Sequence, residues 1–254
     1  MHVVPLPALA DNYIWLLHDD NGNAIVVDPG ESAPVEAAVH ARKLTLRAVL
    51  LTHHHPDHIG GAERLKETFD IPVYAPEDDR IAVATHRVKD GDLLTLSQPA
   101  ARFDVMAVPG HTLTHIVYVG EGVLLCGDTL FSLGCGRMFE GTPAQMHASL
   151  QRLAALPAET LVCCGHEYTT ANARFAQTVE PNNTALKARA KEVDVLRADH
   201  RPSVPSTLAS ELACNPFLRV NSDEVIDWCN RQGAANDPVA RFAALRSAKD
   251  AFKA

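Results

Sequence analysis

Residues 52–58 read THHHPDH, and this stretch decides which fold and which chemistry the chain can have. It has the form HxHxDH and follows the apolar, strand-like run RAVLLT. In an extended segment His53 and His55 point the same way, whereas a turn at the following proline redirects Asp57 and His58. Four ligand-type side chains at this spacing have little structural use, so the stretch predicts a metal site. Neutral imidazole and carboxylate suit zinc and also iron or manganese, so these ligands leave the identity of the metal open.

Three further candidate ligands follow other strand-like runs. His111 follows FDVMAVPG, Asp128 follows GVLLCG, and His166 follows ETLVCCG. Because active sites of layered α/β folds assemble at the ends of strands, these side chains can converge with the HxHxDH stretch. Seven ligands are enough for two metal ions. We assign them to a first ion held by His53, His55 and His111, a second ion held by Asp57, His58 and His166, and a bridging Asp128.

The chemistry of this ligand set favours catalysis over a structural role. Closed structural zinc sites favour four Cys or Cys/His ligands, whereas this set has no cysteine and provides only three or four protein groups per ion. Asp57 and Asp128 cancel only part of the charge of two divalent ions, so a hydroxide can be held between the metals. His54 is expected to face away, and Asp28 is either a turn residue or a partner that orients a ligand.

The overall composition indicates a globular protein that acts on neither nucleic acid nor membranes. The chain has 254 residues, of which 46% are hydrophobic, and its formal net charge is −8. That charge argues against a general affinity for nucleic acid, and no run of about 18 apolar residues could cross a membrane. The N-terminal stretch lacks the features of a signal peptide. Six cysteines without a CxxC pair indicate reduced thiols. We therefore expect a cytoplasmic protein, and we expect it to be a monomer.

Strand-like and helical runs alternate over the first two thirds of the chain, which is typical of the α/β (or α+β) class. Helical stretches such as SAPVEAAVHARK and TPAQMHASLQRLAALP lie between the strands that precede the candidate ligands. The pattern then becomes helical, and the last helix is expected to begin at Asp237, which can cap it. We therefore predict a catalytic domain over residues 1–170 and a helical C-terminal domain over residues 171–254.

Several motifs carry a resemblance to known proteins. THHHPDH, PGHT, GDTLF and GHEYT, spread over residues 52–170, resemble the metal-ligand motifs of the metallo-β-lactamase superfamily. DNYIWLL, GCGRMFEGT, EPNN, VPSTLASE, NPFLR and a C-terminal KDxF resemble the glyoxalase II (hydroxyacylglutathione hydrolase) family along nearly the whole chain. The resemblance implies a four-layer αββα sandwich with a smaller helical C-terminal domain that contributes to a glutathione site. It also implies two divalent metal ions per chain, with Zn²⁺ as the expected ion.

The same resemblance implies hydrolysis of S-D-lactoylglutathione to D-lactate and glutathione, the second step of methylglyoxal detoxification. A hydroxide between the metals would attack the thioester carbonyl, with Asp57 and Asp128 as the catalytic carboxylates. The residues onto which the resemblance maps substrate binding are Arg137, Phe139, Tyr168, Arg246 and Lys249. Arg246 and Lys249 are three apart, so a helix places both cations on one face, where they can bind a carboxylate. Phe139 lies where many relatives carry tyrosine, and it lacks that hydroxyl.

Three other functions remain open at the level of the sequence. A glutathione persulfide dioxygenase shares the scaffold, but it resembles a mononuclear iron site and lacks the helical C-terminal domain. The helical tail from Ala171 argues against that function. A non-catalytic, metal-bound module would bind glutathione conjugates without turnover. A nuclease is disfavoured by the acidic charge of the chain.

Overall fold

The computed structural model describes residues 1–253, which contain fourteen strands and nine helices. The strands are β1 (His2–Ala8), β2 (Asn12–His18), β3 (Asn23–Val27), β4 (Thr45–Leu50), β5 (Val73–Pro76), β6 (His86–Val88), β7 (Leu93–Ser97), β8 (Ala100–Ala107), β9 (Ile116–Gly120), β10 (Val123–Gly127), β11 (Leu130–Phe131), β12 (Gly134–Cys135), β13 (Leu161–Cys164) and β14 (Ser206–Thr207). The helices are α1 (Ala33–Arg42), α2 (Pro56–Ile59), α3 (Ala62–Phe69), α4 (Pro143–Ala154), α5 (Thr169–Val179), α6 (Thr184–Ala198), α7 (Leu208–Cys214), α8 (Asp223–Arg231) and α9 (Pro238–Ala251).

These elements form two compact units that interleave along the chain. The first unit comprises Met1–Ala107, Thr114–Gly127 and Cys163–His166. The second unit comprises Val108–Leu113, Asp128–Val162 and the chain from Glu167 onward. The two domains predicted from the sequence, residues 1–170 and 171–254, are each continuous in the chain, unlike these units. That division stays a prediction.

The first unit contains a six-stranded sheet in the order β1-β2-β3-β4-β5-β6. β1 to β3 are antiparallel neighbours, and β3 to β6 are parallel neighbours. All five residues of β3 are buried, as expected for a central strand that is covered on both faces. Val35 of α1 and Leu65 of α3 are buried in the same apolar cluster as Ile14 and Leu16 of β2. The two helices therefore pack on one face of this sheet.

The first unit also contains strands of a second sheet. In this sheet β7, β8, β9 and β10 are successive antiparallel neighbours, and β13 follows β10. β10 ends at Gly127, directly before the candidate ligand Asp128. Gly127 has a φ of 47°, and a Cβ at this position would clash with Oγ1 of Thr52. Glycine is therefore required where the chain leaves β10.

The second unit is mainly helical. Its strands are the short hairpin β11–β12 and the first residues of β13, which pair with β14. Leu133 lies in a buried apolar cluster with Ala176 of α5 and Leu186 of α6. Asp237 caps α9, since its side chain accepts a hydrogen bond from the backbone N–H of Ala240 at 2.9 Å. The predicted cap of the last helix is thereby confirmed.

The structure confirms the predicted alternation of strands and helices and the helical tail, with one difference in length. The two predicted early helices are α1 and α4, and the tail contains α5 to α9. The sequence predicts a strand that continues almost to His111, but β8 ends at Ala107. Pro109 has no N–H to donate to a neighbouring strand, so the ladder stops before it. His111 therefore lies four residues beyond the strand.

The cysteine side chains lie inside the protein. All six cysteines are buried, and no disulfide joins any of them within residues 1–253. Burial raises the pKa of the Cys163 thiol well above its ordinary value, which keeps it neutral. No helix in the described part of the chain is long and apolar enough to cross a membrane.

Candidate functional site

The HxHxDH stretch occupies the connection between a buried strand and a short helix of the first unit. β4 ends at Leu50, and α2 begins at Pro56 after the extended residue His55. Nε2 of His53 lies 3.1 Å from Nδ1 of His55, so the extended segment does bring these two imidazoles together. Pro56 occupies the first position of α2, where its missing N–H is not needed, and the helix then redirects the chain.

A second group in the first unit consists of Asp57, His58 and His166. Oδ2 of Asp57 lies 3.6 Å from Nε2 of His58 and 3.4 Å from Nε2 of His166. The three residues offer ligand atoms that all lie within 4.8 Å of one another. His166 comes two residues after β13, whose position in the sheet carries it to this group. These are the three residues that the sequence assigns to the second ion.

Asp28 lies beside His58 and orients it. Oδ2 of Asp28 lies 3.0 Å from Nδ1 of His58, and the Asp28 carboxylate also accepts hydrogen bonds from the backbone N–H and the hydroxyl of Thr52 at 2.8 and 2.6 Å. A carboxylate can only accept, so Nδ1 of His58 carries the proton and Nε2 presents its lone pair toward Asp57. Of the two roles considered for Asp28, the structure favours the orienting one.

His111 and Asp128 lie together in the second unit. Nε2 of His111 is 3.5 Å from Oδ2 of Asp128. Nδ1 of His111 donates to the backbone carbonyl of Arg137 at 2.7 Å, which makes Nε2 the candidate ligand atom. Gly136 allows this packing, because a Cβ there would clash with the backbone oxygen of Asp128. The loop after β12 therefore supports both candidate ligands.

A cavity of about 400 Å³ in the second unit joins these two ligands to the predicted substrate-binding residues. All five of those residues line it, namely Arg137, Phe139, Tyr168, Arg246 and Lys249. His111 and Asp128 line the same cavity. Its volume lies within the range of small-molecule sites, and its walls combine aromatic rings with a few charged groups.

The cationic part of the cavity is built around a carboxylate that the sequence did not single out. Oδ1 of Asp250 accepts from Nη2 of Arg246 at 2.9 Å and from Nε of Arg137 at 3.2 Å. Arg246 is only 6% exposed, and its Nη1 donates to the backbone carbonyl of Cys135 at 2.7 Å. Burial, and then the charge of Arg246, lower the pKa of Lys249. Three cations and one carboxylate leave this region with a surplus of two positive charges, which suits an anionic ligand.

Aromatic rings line the cavity beside the charged groups. Phe139 is 63% exposed, and its ring meets the edge of His111 with 5.3 Å between the centroids. The ring of Tyr168 meets Phe131 at 5.2 Å. Burial raises the pKa of the Cys135 thiol to about 11, so this thiol is neutral near pH 7 and no nucleophile. Phe139 contributes an apolar surface but no hydrogen bond from its side chain.

The donor chemistry of these residues fits a divalent metal ion. Each unit offers nitrogen and oxygen donors without sulfur, a set that suits zinc, iron and manganese. In His58, His111 and His166 the Nδ1 atom is engaged by an oxygen, so the Nε2 atom presents the lone pair. Metal-binding histidines are commonly held in this way.

Three further residues lie near the candidate ligands or in the wall of the cavity, and the sequence predicted no metal-binding or substrate-binding role for them. Nδ1 of His54 lies 3.5 Å from Oδ2 of the buried Asp78, and His54 belongs to no ligand group among residues 1–253. His115 is buried and stacks on His53 with 4.6 Å between the ring centroids. Asp250 is the aspartate of the KDxF motif. The motif could therefore have indicated a role for Asp250, whereas the spacing of the cations alone could not.

Two family models match consecutive parts of the chain. The model described as "Metallo-beta-lactamase superfamily" matches residues 10–166. The model described as "Hydroxyacylglutathione hydrolase C-terminus" matches residues 167–252. The catalytic motifs and the helical tail are therefore each similar to a recognised family region.

Solved structures share the fold. BLEG-1 B3 metallo-beta-lactamase aligns with a TM-score of 0.67 at 25% identity and covers 86% of this chain and 100% of its own. ETHE1 from Myxococcus xanthus aligns with a TM-score of 0.66 at 26% identity over 99% of both chains. A protein named TTHA1623, in a di-iron-bound form, aligns with a TM-score of 0.61 at 26% identity over 86% of this chain and 100% of its own. The predicted metallo-β-lactamase fold is confirmed.

Full-length relatives are more similar still. A protein of Xanthomonas campestris pv. campestris (strain B100) is 52% identical over 257 residues, which cover 100% of both chains. A protein of Xylella fastidiosa (strain 9a5c) is 50% identical over 255 residues, which cover 99% of this chain and 98% of that protein. Both carry the name "Hydroxyacylglutathione hydrolase". With this identity over its whole length, and with the two family models that it matches, the chain belongs to the hydroxyacylglutathione hydrolase (glyoxalase II) family of the metallo-β-lactamase superfamily.

Proposed function

We propose that this protein hydrolyses S-D-lactoylglutathione to D-lactate and glutathione. The observation that carries the proposal is the cavity of the second unit, which is lined both by the candidate ligands His111 and Asp128 and by the cations Arg137, Arg246 and Lys249. A glutathione thioester has carboxylates at one end and a reactive carbonyl at the other, and one cavity offers groups for both. The names of the full-length relatives support the same reaction.

We further propose that the seven residues predicted from the sequence hold two divalent ions, with Zn²⁺ expected and iron or manganese as alternatives. The oriented Nε2 atoms support this assignment, as does the similarity to a protein solved in a di-iron-bound form. Ions held there would lower the pKa of water toward neutrality and would polarise the thioester carbonyl. Asp57 and Asp128 are proposed to serve as catalytic carboxylates through their role as ligands.

The other side chains of the cavity bind and orient the substrate in this proposal. Arg137 and Lys249 attract the glutathione carboxylates, and Arg246 holds the cationic wall in place through Asp250 and Cys135. Phe139 and Tyr168 provide apolar surface along the thioester. The leaving group is a thiolate, which needs little help from an acid. The proposed reaction requires no partner protein. We propose that the protein is a monomer and that it is located in the cytoplasm.

The experiment that tests this function measures products from purified, metal-loaded protein. Release of free thiol from S-D-lactoylglutathione should match formation of D-lactate one to one. Oxygen uptake with glutathione persulfide should stay at the level of a protein-free control. Oxygen consumption without thioester cleavage would contradict the proposal, and so would tight binding of the thioester without any turnover.

A further inference from the structure

The turn between β1 and β2 is tied to the segment that carries His166. The two strands pair through Ala8 and Asn12, so the turn is short. The backbone N–H of Tyr13 donates to the carbonyl of Gly165 at 2.8 Å, and Asn12 forms an isolated bridge with His166. All of these residues belong to the first unit. The turn is thereby fixed beside a candidate metal ligand that lies more than 150 residues away in the sequence.

Asp11, in this turn, contacts the His166 ring. Oδ1 of Asp11 lies 2.8 Å from Nδ1 of His166. The carboxylate can only accept a hydrogen bond, so this contact favours the tautomer with the proton on Nδ1. Nε2 then presents its lone pair on the side where Oδ2 of Asp57 lies, at 3.4 Å. Asp11 thus sets both the tautomer and the orientation of the ring.

Asn12, the next residue, contacts Asp57 in the same way. Its Nδ2 donates to Oδ2 of Asp57 at 3.0 Å and to the backbone carbonyl of Asp57 at 3.2 Å. Asn12 is only 7% exposed, so few other orientations are open to its amide. The two bonds fix both the side chain and the backbone of Asp57, which limits rotation of a carboxylate at the start of α2.

We propose that Asp11 and Asn12 are positioning residues that hold His166 and Asp57 in the geometry required to bind a divalent metal ion. This inference rests on the proposed metal-dependent function. It assigns a role to the start of the DNYIWLL motif, where two adjacent residues orient two ligands of the same group from a single rigid turn. Mutation of residues that orient a metal ligand commonly lowers metal affinity or activity by about 10- to 100-fold.

The test measures zinc affinity of the metal-free protein by competition with a chromophoric chelator. Asp11→Ala and Asn12→Ala should each weaken the zinc affinity of one site by about 10- to 100-fold. Asp20→Ala is a matched control, because Asp20, in the turn between β2 and β3, lies 2.8 Å from Nε2 of His2 in an exposed Asp–His pair. The control should bind zinc as the parent chain does.

A second readout separates positioning from a merely structural role. The ¹⁵N shifts of the His166 ring in the metal-free protein should report the Nδ1–H tautomer in the parent chain, and they should move toward the other tautomer in Asp11→Ala. The unfolding midpoint of metal-free Asp11→Ala should match that of the parent, since Asp11 is a partly exposed side chain. If Asn12→Ala lowers the unfolding midpoint of the metal-free protein, only the result for Asp11→Ala is used to test the proposal.

The outcomes distinguish this inference from the function on which it rests. If the parent chain binds zinc tightly and Asp11→Ala binds it within about threefold of the parent with an unchanged tautomer, the positioning role is wrong. If the parent chain binds no zinc, the proposed metal-dependent function itself is wrong.

Discussion

Nη2 of Arg246 donates a hydrogen bond to Oδ1 of Asp250, one helical turn further along α9, over 2.9 Å. Nη1 of the same guanidinium donates to the carbonyl of Cys135, and the side chain is buried. Arg246 is therefore committed to contacts within the protein, whereas Lys249 is only half-buried at the same cavity wall. The two cations that the sequence treats alike have different surroundings, and this difference has measurable consequences.

Arg246→Ala should lower the free energy of unfolding as well as weaken substrate binding. Hydrogen bonds to charged groups contribute about 1.5–3 kcal/mol each, and the variant leaves the Cys135 carbonyl without this donor. We expect a loss of about 2–3 kcal/mol in urea unfolding of the metal-free protein. Lys249→Ala is the comparison, with a smaller expected loss, because Lys249 is only half-buried. Equal stabilities of the two variants would contradict the framework role of Arg246.

Lys249→Ala should raise KM for S-D-lactoylglutathione with little change in kcat. A lost charged hydrogen bond of about 1–3 kcal/mol corresponds to a rise of roughly 5- to 150-fold if KM approximates Kd. A small thioester without the glutathione carboxylates is the control, and its kcat/KM should be nearly unchanged. An unaltered KM for the glutathione thioester would remove Lys249 from the substrate site.

The pH dependence of binding should report the lowered pKa of Lys249. Burial lowers that pKa, so Lys249 loses its charge at a lower pH than an exposed lysine does. KM of the parent chain should therefore rise as the pH increases through the lowered pKa, and this rise should be absent in Lys249→Ala.

The free energy of unfolding depends on the charge of Lys249 in the opposite sense, because loss of the charge weakens substrate binding but favours the folded state. Between the folded pKa and the unfolded value the unfolded chain binds more protons, so the contribution of Lys249 to the unfolding free energy increases with pH in that window.

Asp128→Asn should abolish turnover and reduce metal content. The substitution keeps the shape of the side chain but removes the charge that is proposed to bridge two ions. Metal analysis after dialysis should give fewer ions per chain than the parent retains. Asp104→Asn, in an exposed carboxylate of β8, should leave both properties unchanged. A wild-type kcat in Asp128→Asn at full metal content would show that Asp128 is not the bridge.

Asp237→Ala should destabilise the helix that carries Arg246 and Lys249. Asp237 accepts from the backbone N–H of Ala240, and loss of such a cap costs about 1 kcal/mol. Thermal unfolding should show a lower midpoint than that of Asp227→Ala, an exposed carboxylate inside α8. An equal midpoint for the two variants would mean that the cap does not stabilise α9.

The sequence alone was sufficient to predict candidate ligands that are close together in the chain or that belong to a known motif. The HxHxDH stretch puts four ligand-type residues within six positions of the chain, so their spacing alone indicated a metal site. Asp11 and Asn12 were not assigned roles, because their partners lie 155 and 45 residues away. Asp250 also contacts Arg137, which lies 113 residues away. Spacing carries no information about such pairs, which exist only once the strands and helices have folded. The commitment of Arg246 to Cys135 was hidden for the same reason.

Metal-dependent hydrolysis is tested most directly by a metal titration of the metal-free protein, in which hydrolysis of S-D-lactoylglutathione is measured after each addition of Zn²⁺. We expect negligible turnover without metal and a rate that increases and then levels off close to two equivalents per chain, because the proposed mechanism needs ions to polarise the carbonyl and to activate water. A rate that does not depend on metal, or no hydrolysis at any metal loading, would contradict it.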